Sequence, residues 1–166
     1  EQLRPSLQPE TIDQMPVEEL AQLIRPSGFF NIKAKRIKAF IAWYKKYDFD
    51  IEKVKAMEKE ELRADLLRTH GIGRETADVM LVYAFDKPIF VVDAYARRIF
   101  HRLGYDLPTS YDAFRKIVEK QLPDNLAVYN EYHALLVEHA KQTCKLNPLC
   151  EACPLLDVCE QRIREV

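Results

Sequence analysis

The sequence predicts an all-α protein, and three observations lead to this class. The chain of 166 residues holds only four glycines. Long stretches are rich in Ala, Leu, Ile, Glu and Lys, most of which favour helices. Apolar residues recur at spacings of three and four, as on the buried face of a helix. Pro88–Val92 has the composition of a strand, but no segment nearby offers a partner, so we predict a buried extended connector.

Helix boundaries follow from caps and breakers along the chain. Thr11 to Arg25 is predicted as one helix, which Pro26 and Gly28 end. Asn31 is a suitable N-cap for the next helix, to about Tyr47. The remaining predicted helices run from Ile51 to Met57, Glu60 to Thr69, Arg74 to about Phe85, Asp93 to Leu103 (closed by Gly104), Thr109 or Ser110 to Leu122, and Asp124 to near Cys144.

Composition limits the class of protein. Hydrophobic residues make up 48% of the chain and charged residues 31%, as in a soluble globular protein. No apolar run approaches the ~20 residues that a membrane span needs, and no signal peptide is visible. We therefore expect a cytoplasmic protein, nucleoid-associated in a bacterium, and a monomer. The formal net charge of −1 gives no global attraction to nucleic acid, so any such binding requires local positive charge.

Two of the four glycines, Gly71 and Gly73, lie one residue apart between two predicted helices. Glycine suits a turn with positive φ or a close backbone approach. Amides exposed at such a turn, beside a helix N-terminus, form a site for phosphate. The pattern matches the helix-hairpin-helix motif, in which Ile72 packs between the helices; an ordinary turn is the alternative. We expect Gly71, Ile72 and Gly73 to contact DNA. The flanking residues expected to do so as well are Thr69, His70, Arg74 and Thr76.

Asp93 follows two β-branched residues and precedes Ala94-Tyr95, so it is expected at an apolar helix N-terminus. One interpretation is an N-cap, a common role for aspartate. The other is a catalytic carboxylate, because amides at a helix start keep it ionised and partial burial strengthens its field. The two roles are compatible.

All four cysteines lie near the end of the chain, as Cys144-x5-Cys150-x2-Cys153-x5-Cys159. A secreted protein would spread its cysteines to link distant loops. Four thiols within sixteen residues indicate a metal site or an iron–sulfur cluster. The spacing alone leaves zinc open.

Basic charge is concentrated in two groups. Seven basic residues and no acidic one lie from Arg25 to Lys46, which is either a DNA-facing surface or an ordinary solvated face. Arg97, Arg98 and Arg102 follow Asp93 on the same predicted helix. We expect this second group to contact DNA phosphates.

Leu67–Leu103 resembles the helix-hairpin-helix DNA glycosylases of the endonuclease III superfamily. Gly28-Phe-Phe-Asn-Ile-Lys-Ala-Lys-Arg-Ile37 is similar to the family's Gly-x-x-x-x-Lys-Ala segment, and the cysteines to its iron–sulfur loop. The resemblance implies a helical barrel, a [4Fe–4S] cluster, double-stranded DNA with a damaged base as partner, and Asp93 as the essential aspartate. It implies a barrel domain over residues 8–122 (hairpin motif about 62–84) and a cluster domain over 1–7 and 123–166. The family's N-terminal helices are expected to be absent from this chain, and Glu1–Leu7 to be the end of one.

Bifunctional members of the family hold a lysine just after the hairpin, where this chain has Glu75. A carboxylate cannot form the Schiff base that cuts the backbone, so we expect a monofunctional hydrolase. Gly71–Asp78 with Val91–Tyr95 is most similar to the 3-methyladenine branch. The alternatives are a bifunctional glycosylase/AP lyase on damaged pyrimidines, using another lysine, and a non-catalytic DNA-binding module.

Two departures from the family concern the cysteine loop. Its first gap has five residues where six are common, and Lys145 is the one basic residue between Cys144 and Cys150, which puts a DNA contact of this loop in doubt.

Four aromatic residues are candidates for the walls of a pocket that receives the flipped base: Tyr83, Tyr95, Phe29 and Phe30. The alternative for each of them is ordinary core packing.

Overall fold

The structure is a computed structural model that describes residues 7–163. Over this range it contains α-helices and short 3-10 turns but no strand, which confirms the all-α prediction. No helix in the described range is long and apolar enough to cross a membrane. The helices are α1 Pro9–Gln14, α2 Val17–Leu23, α3 Phe30–Lys45, α4 Ile51–Lys55, α5 Lys59–Leu67, α6 Arg74–Tyr83, α7 Ala94–Leu103, α8 Tyr111–Glu119 and α9 Leu126–Gln142.

The prediction of one helix from Thr11 to Arg25 is wrong, because the chain breaks at Met15-Pro16. Met15 has ψ 133°, as expected for a residue whose helical conformation would clash with a following proline ring. The exposed carbonyls at the end of α1 are bound by Lys38, whose Nζ donates to Ile12, Asp13 and Met15 at 2.9, 2.6 and 2.9 Å. Lys38 therefore has a structural role instead of facing a ligand.

Two predicted caps are also corrected. The N-cap of α3 is Phe29, with φ 48°, so Asn31 lies within the first turn. The N-cap of α9 is Asn125 and not Asp124; its Oδ1 accepts from the amides of Ala127 and Val128 at 2.9 and 3.4 Å. Ser110 caps α8 and Gly104 closes α7 at φ 111°, as predicted.

The connector before Asp93 is neither helix nor strand, and it is buried, as predicted, with Ile89–Val92 at most 2% exposed. Side chains of other elements bind its amides. Phe90 N donates to the Glu119 carboxylate at 2.9 Å, and Val92 N to the Tyr111 hydroxyl at 3.2 Å. These side chains satisfy the amides of Phe90 and Val92, so this apolar, β-branched segment does not need a neighbouring strand to bind them.

By their internal contacts, the residues divide into two compact units that meet at Ala77/Asp78. The core of the first unit includes Leu20, Ala34 and Ile41. The second is built around Phe90, Phe100 and Phe114, with α9 contributing Leu136. The family-based division into 8–122, and 123–166 with 1–7, stays a prediction. Residues 1–6 and 164–166, with most of the suggested helix end at 1–7, lie outside the described part.

Candidate active site

The predicted hairpin joins α5 to α6. Its turn is closed by the amide of Ile72, which donates to the carbonyl of Thr69 at 3.1 Å. Gly71 has φ 85°, and a Cβ at this position would overlap the side chain of Arg36. Glycine is therefore needed here for both conformation and space. Gly73 has no positive φ, and a Cβ there would meet no atom within 4 Å.

The predicted contact residues of the hairpin are largely on the surface. Ile72 and Thr69 are half-buried, which suits the predicted packing of Ile72. The remaining ones are exposed: His70, Gly71, Gly73, Arg74 and Thr76. The surface thus offers backbone amides and an arginine together, although contact with DNA stays a prediction.

A carboxylate on α5 stabilises the helix end that leads into the hairpin. Asp65 Oδ2 accepts from Trp43 Nε1 at 2.6 Å and from the Tyr47 hydroxyl at 2.7 Å. Its Oδ1 accepts from Arg68 Nη2 at 2.7 Å. Burial alone would raise the pKa of Asp65, but the hydrogen bonds from Tyr47, Trp43 and Arg68 outweigh it and lower the pKa. Burial and the Asp65 carboxylate raise the pKa of Tyr47 to about 12.

Asp93 is the N-cap of α7, as predicted. Its Oδ1 accepts from the amide of Ala96 at 2.7 Å. The other oxygen, Oδ2, lies 3.5 Å from Nε2 of His133 on α9, and the two side chains are 12% and 15% exposed. Burial would raise the pKa of Asp93, but His133 and the amides of Ala96 and Tyr95 together lower it. The lowered pKa favours the ionised carboxylate, which is the form that the catalytic interpretation of Asp93 assumes.

His133 also contacts Tyr83, the last residue of α6. The Tyr83 hydroxyl lies 2.7 Å from His133 Nδ1, and burial together with the charge of Asp93 raises the pKa of Tyr83. The sequence analysis did not select His133. A usable signal exists, because Tyr129, His133, Leu136 and Ala140 share one helical face, and an ionisable side chain on an apolar stripe is unusual.

The aromatic residues offered as pocket walls have different environments. Tyr83 is 51% exposed beside Asp93 and His133, and Phe29 is 83% exposed. Phe30 and Tyr95 pack against the cores of the first and second units respectively. Of these four rings, Tyr83 is therefore the exposed one that contacts His133, the side chain facing the candidate catalytic carboxylate.

The arginines after Asp93 are engaged within the protein. Arg102 is 4% exposed, and its guanidinium donates to the carbonyls of Lys145 and Leu146 at 2.5 and 3.1 Å. The expectation that Arg102 contacts a phosphate is therefore wrong, because the loop after α9 uses its donors. Arg98 Nε donates to the carbonyl of Cys144 at 3.0 Å, and Arg97 lies over the Phe114 ring at 5.3 Å. DNA contact by Arg97 and Arg98 stays a prediction.

The first basic group is partly used as well. Besides Lys38, Lys45 pairs with Asp13 at 2.6 Å, and Lys33 Nζ donates to the carbonyl of Ser27 at 2.5 Å. Lys35 and Arg36 of α3 are exposed, and so is Lys46, which directly follows this helix. The solvated-face interpretation and the DNA-facing interpretation both remain open for these three.

The four cysteines line one pocket of the second unit, together with Ile99, His139 and Leu155. Between residues 7 and 163, no three His, Cys, Asp or Glu side chains are grouped so as to hold a metal ion. N–H groups approach the sulfur atoms: Arg102 Nη1 lies 3.5 Å from Cys144 Sγ, and the amide of Gln161 3.4 Å from Cys159 Sγ. The thiols thus surround a cavity instead of converging on one point.

Comparisons with known proteins show the family to which the chain belongs. A family model described as "HhH-GPD superfamily base excision DNA repair protein" matches residues 1–124. A Methanocaldococcus jannaschii protein, provisionally named a DNA repair glycosylase, is 45% identical over 145 residues, which are 86% of this chain and 66% of that protein. The chain therefore spans about two thirds of the length of this curated relative.

Two solved structures are similar to the whole fold. A trapped covalent intermediate of endonuclease III with DNA matches with TM-score 0.79 and 28% identity, over 96% of this chain and 71% of that one. The H. pylori 3-methyladenine DNA glycosylase bound to 1,N6-ethenoadenine matches with TM-score 0.71 and 29% identity, over 85% and 74% of the respective chains.

Proposed function

Because the chain belongs to the HhH-GPD superfamily of base excision DNA repair proteins, we propose that it is a monofunctional DNA glycosylase. It hydrolyses the N-glycosidic bond of a damaged base, an alkylated purine, in double-stranded DNA. The observation that carries the proposal is an ionised, largely buried carboxylate, Asp93, at the N-terminus of α7. A helix-hairpin-helix segment in the same chain supplies the DNA-binding element.

The reaction needs a negative group of this kind. As the base leaves, positive charge develops on the sugar, and an ionised Asp93 beside C1′ stabilises that charge. The same carboxylate orients the attacking water and takes its proton. The base must first leave the helical stack, which costs roughly a few kcal/mol and less when the base is damaged.

The choice of an alkylated purine is supported by two observations. The 3-methyladenine glycosylase of H. pylori is among the similar structures, and the exposed ring of Tyr83 lies beside Asp93 and His133. A cationic alkylpurine is a good leaving group, and an aromatic face attracts it through cation–π contact. A panel of duplexes, each with a single lesion, tests this choice. We expect release of 3-methyladenine; release of oxidised pyrimidines alone would overturn the substrate class.

The monofunctional assignment is supported by Glu75. It is exposed in the first turn of α6, where a bifunctional enzyme of the family holds its lysine. The competing candidate, a bifunctional enzyme on damaged pyrimidines, is favoured by the similarity to endonuclease III, which was trapped covalently on DNA. Borohydride added during turnover separates the two. We expect base release without a trapped protein–DNA adduct, whereas a trapped adduct with strand cleavage would establish the lyase.

Gly73 allows a test of DNA binding by the hairpin. An added methyl group meets no protein atom and needs no unusual φ, so Gly73→Ala should leave the free energy of unfolding unchanged. If the Gly73 amide approaches a phosphate, the variant binds duplex DNA more weakly, and the loss appears with undamaged duplex too, because phosphate contacts carry no sequence information. Unchanged affinity would argue against phosphate binding at this turn. Thr109→Ala, an exposed change in the second unit, is the control.

For the cofactor, we propose a [4Fe–4S] cluster held by Cys144, Cys150, Cys153 and Cys159, with zinc as the alternative. Four thiols around a cavity suit a multi-atom cluster, whereas a single zinc ion needs all four sulfurs at about 2.3 Å from one point. When bound, the cluster cross-links the loop after α9 and thereby stabilises it. Purification under anaerobic conditions should give a brown protein with a broad visible band. A colourless protein with stoichiometric zinc would reverse the assignment.

A further inference from the structure

We propose that His133, which lies between Tyr83 and Asp93, is the positioning residue for the Asp93 carboxylate. The proposal deepens the proposed function and rests on it. His133 would not touch the substrate. Its role would be to fix the orientation of the carboxylate that does.

The first step concerns the two carboxylate oxygens. The amide of Ala96 donates to Oδ1 at 2.7 Å, and the amide of Tyr95 also favours the charged form of the carboxylate. His133 Nε2, at 3.5 Å from Oδ2, supplies the second point that defines the carboxylate plane. Both side chains are largely withdrawn from water, so the interaction between them is weakly screened.

The second step concerns the His133 ring. The Tyr83 hydroxyl lies 2.7 Å from Nδ1, which is the usual length of a short O–H hydrogen bond. When Tyr83 donates to Nδ1, a neutral ring carries its proton on Nε2, and Nε2–H then faces the carboxylate. The opposite tautomer would place a lone pair against Oδ2. A tyrosine hydroxyl can donate or accept, whereas an ionised carboxylate can only accept. The form with its proton on Nε2 is therefore the neutral ring form that suits both Asp93 and Tyr83.

The third step concerns the distance. A separation of 3.5 Å is longer than a normal N–H···O hydrogen bond, and contacts of catalytic groups commonly shorten when substrate binds. Until then Oδ2 can receive water. Held by one amide and one imidazole, the carboxylate keeps lone pairs of Oδ2 for the attacking water and its negative charge for the sugar.

The same contacts also allow His133 to be a packing residue of α9, since it shares a face with Tyr129, Leu136 and Ala140. A packing residue would tolerate an aromatic ring of similar size and would gain nothing from a polar side chain. A positioning residue would behave in the opposite way. Two substitutions at the same position therefore separate the roles.

The test compares His133→Phe with His133→Gln in single-turnover base release and in DNA affinity. We expect the phenylalanine variant to release base about 10- to 100-fold more slowly, as for loss of an orienting partner, with a dissociation constant for DNA within about 2-fold of wild type. Gln presents an N–H group near the position of Nε2 and should recover most of the rate. A phenylalanine variant at full rate, or a glutamine variant as slow as phenylalanine, would overturn the proposal.

A second measurement does not depend on turnover, and it separates failure of this inference from failure of the proposed function. Nitrogen NMR of the imidazole ring reports which nitrogen carries the proton. We expect the Nε2–H form in wild type, a mixture in Asp93→Ala, which removes the acceptor that faces Nε2, and no change in Tyr132→Phe, a hydroxyl deletion elsewhere on α9. A ring with its proton on Nδ1 in wild type would overturn the inference even if base release were normal. Normal tautomer shifts without base release from any duplex would instead overturn the proposed function.

Discussion

The two units of the protein each contain a half-buried aspartate whose pKa is below its usual value, and the two are bound very differently. Asp65, in the first unit, accepts three short hydrogen bonds, from Trp43, Tyr47 and Arg68. Asp93, in the second, accepts from the Ala96 amide with one oxygen and faces an imidazole at 3.5 Å with the other. In both cases the hydrogen bonds and charges outweigh the effect of burial.

The difference separates a carboxylate that supports a fold from one that can react. Both oxygens of Asp65 are occupied by donors at 2.6–2.7 Å, and the bonds from Trp43 and Tyr47 join α3 and the segment after it to α5. Asp93 has one short hydrogen bond, from Ala96 to Oδ1, and its Oδ2 faces His133 at the longer distance of 3.5 Å, so Oδ2 is the oxygen left for a water molecule. A lowered pKa by itself therefore does not identify the catalytic residue; the distribution of donors over the two oxygens does.

The largest expected effect is on catalysis. Asp93→Asn should slow single-turnover base release by at least about 100-fold, the usual minimum for loss of a catalytic proton acceptor, with DNA affinity nearly unchanged. The rate of Asp65→Asn, measured with enzyme in excess over a labelled lesion duplex, should stay within about 3-fold of wild type. Under these conditions the rate reports the chemical step, whereas Asp65 is expected to affect only binding and folding. Equal losses in both variants would remove the distinction between the two carboxylates.

The second expected effect is on stability, and it runs in the opposite order. Asp65→Ala leaves the indole N–H of buried Trp43 and two further donors without their acceptor, so we expect a loss of about 2–3 kcal/mol in the free energy of unfolding. Asp93→Ala removes a helix N-cap, worth about 1 kcal/mol. Urea unfolding followed by Trp43 fluorescence measures both. A greater loss for Asp93→Ala would contradict the structural role given to Asp65.

The local part of the candidate site was predictable from sequence, and the tertiary part was not. Two β-branched residues followed by Asp93-Ala94 indicate a buried connector and a helix cap, and both are confirmed. His133 lies forty residues further along and reaches Asp93 only because α9 packs against α7. The contacts of Asp65 were not predicted for the same reason, because the sequence around Trp43 and Tyr47 gives no indication of an acceptor on α5.

The predicted helices failed where a local steric effect outweighed the helical periodicity. Pro16 divides the first predicted helix because its ring excludes the helical conformation at Met15. The prediction that Arg102 contacts DNA failed for a different reason. The position of Arg102 on α7 was foreseeable, but the carbonyls of the loop after α9, which bind its guanidinium, come from a distant part of the chain.

A third prediction concerns pH. The pKa of Asp65 is lowered in the folded protein from a reference value of 3.8, so its charge contributes stability above about pH 3.8, and this contribution is lost as the pH falls through the folded pKa. Asp65→Asn lacks that charge. The difference in unfolding free energy between wild type and this variant should therefore be constant from pH 5 to 7 and shrink below about pH 3.8. Denaturant unfolding at several pH values measures it; a difference that grows on acidification would contradict the sign.

The smallest expected effects come from the two tyrosines that accompany these carboxylates. Tyr47→Phe removes one of three donors to Asp65, and we expect a loss of about 1 kcal/mol, the typical net value of one hydrogen bond. Tyr83→Phe removes a hydroxyl from a side chain that is 51% exposed, so its cost should stay within about 0.5 kcal/mol, as for most surface substitutions. Thermal and urea unfolding of both variants provide the comparison. If Tyr83→Phe were the more destabilising, the contact between Tyr83 and His133 would be part of the fold, and the second unit would hold its carboxylate as firmly as the first.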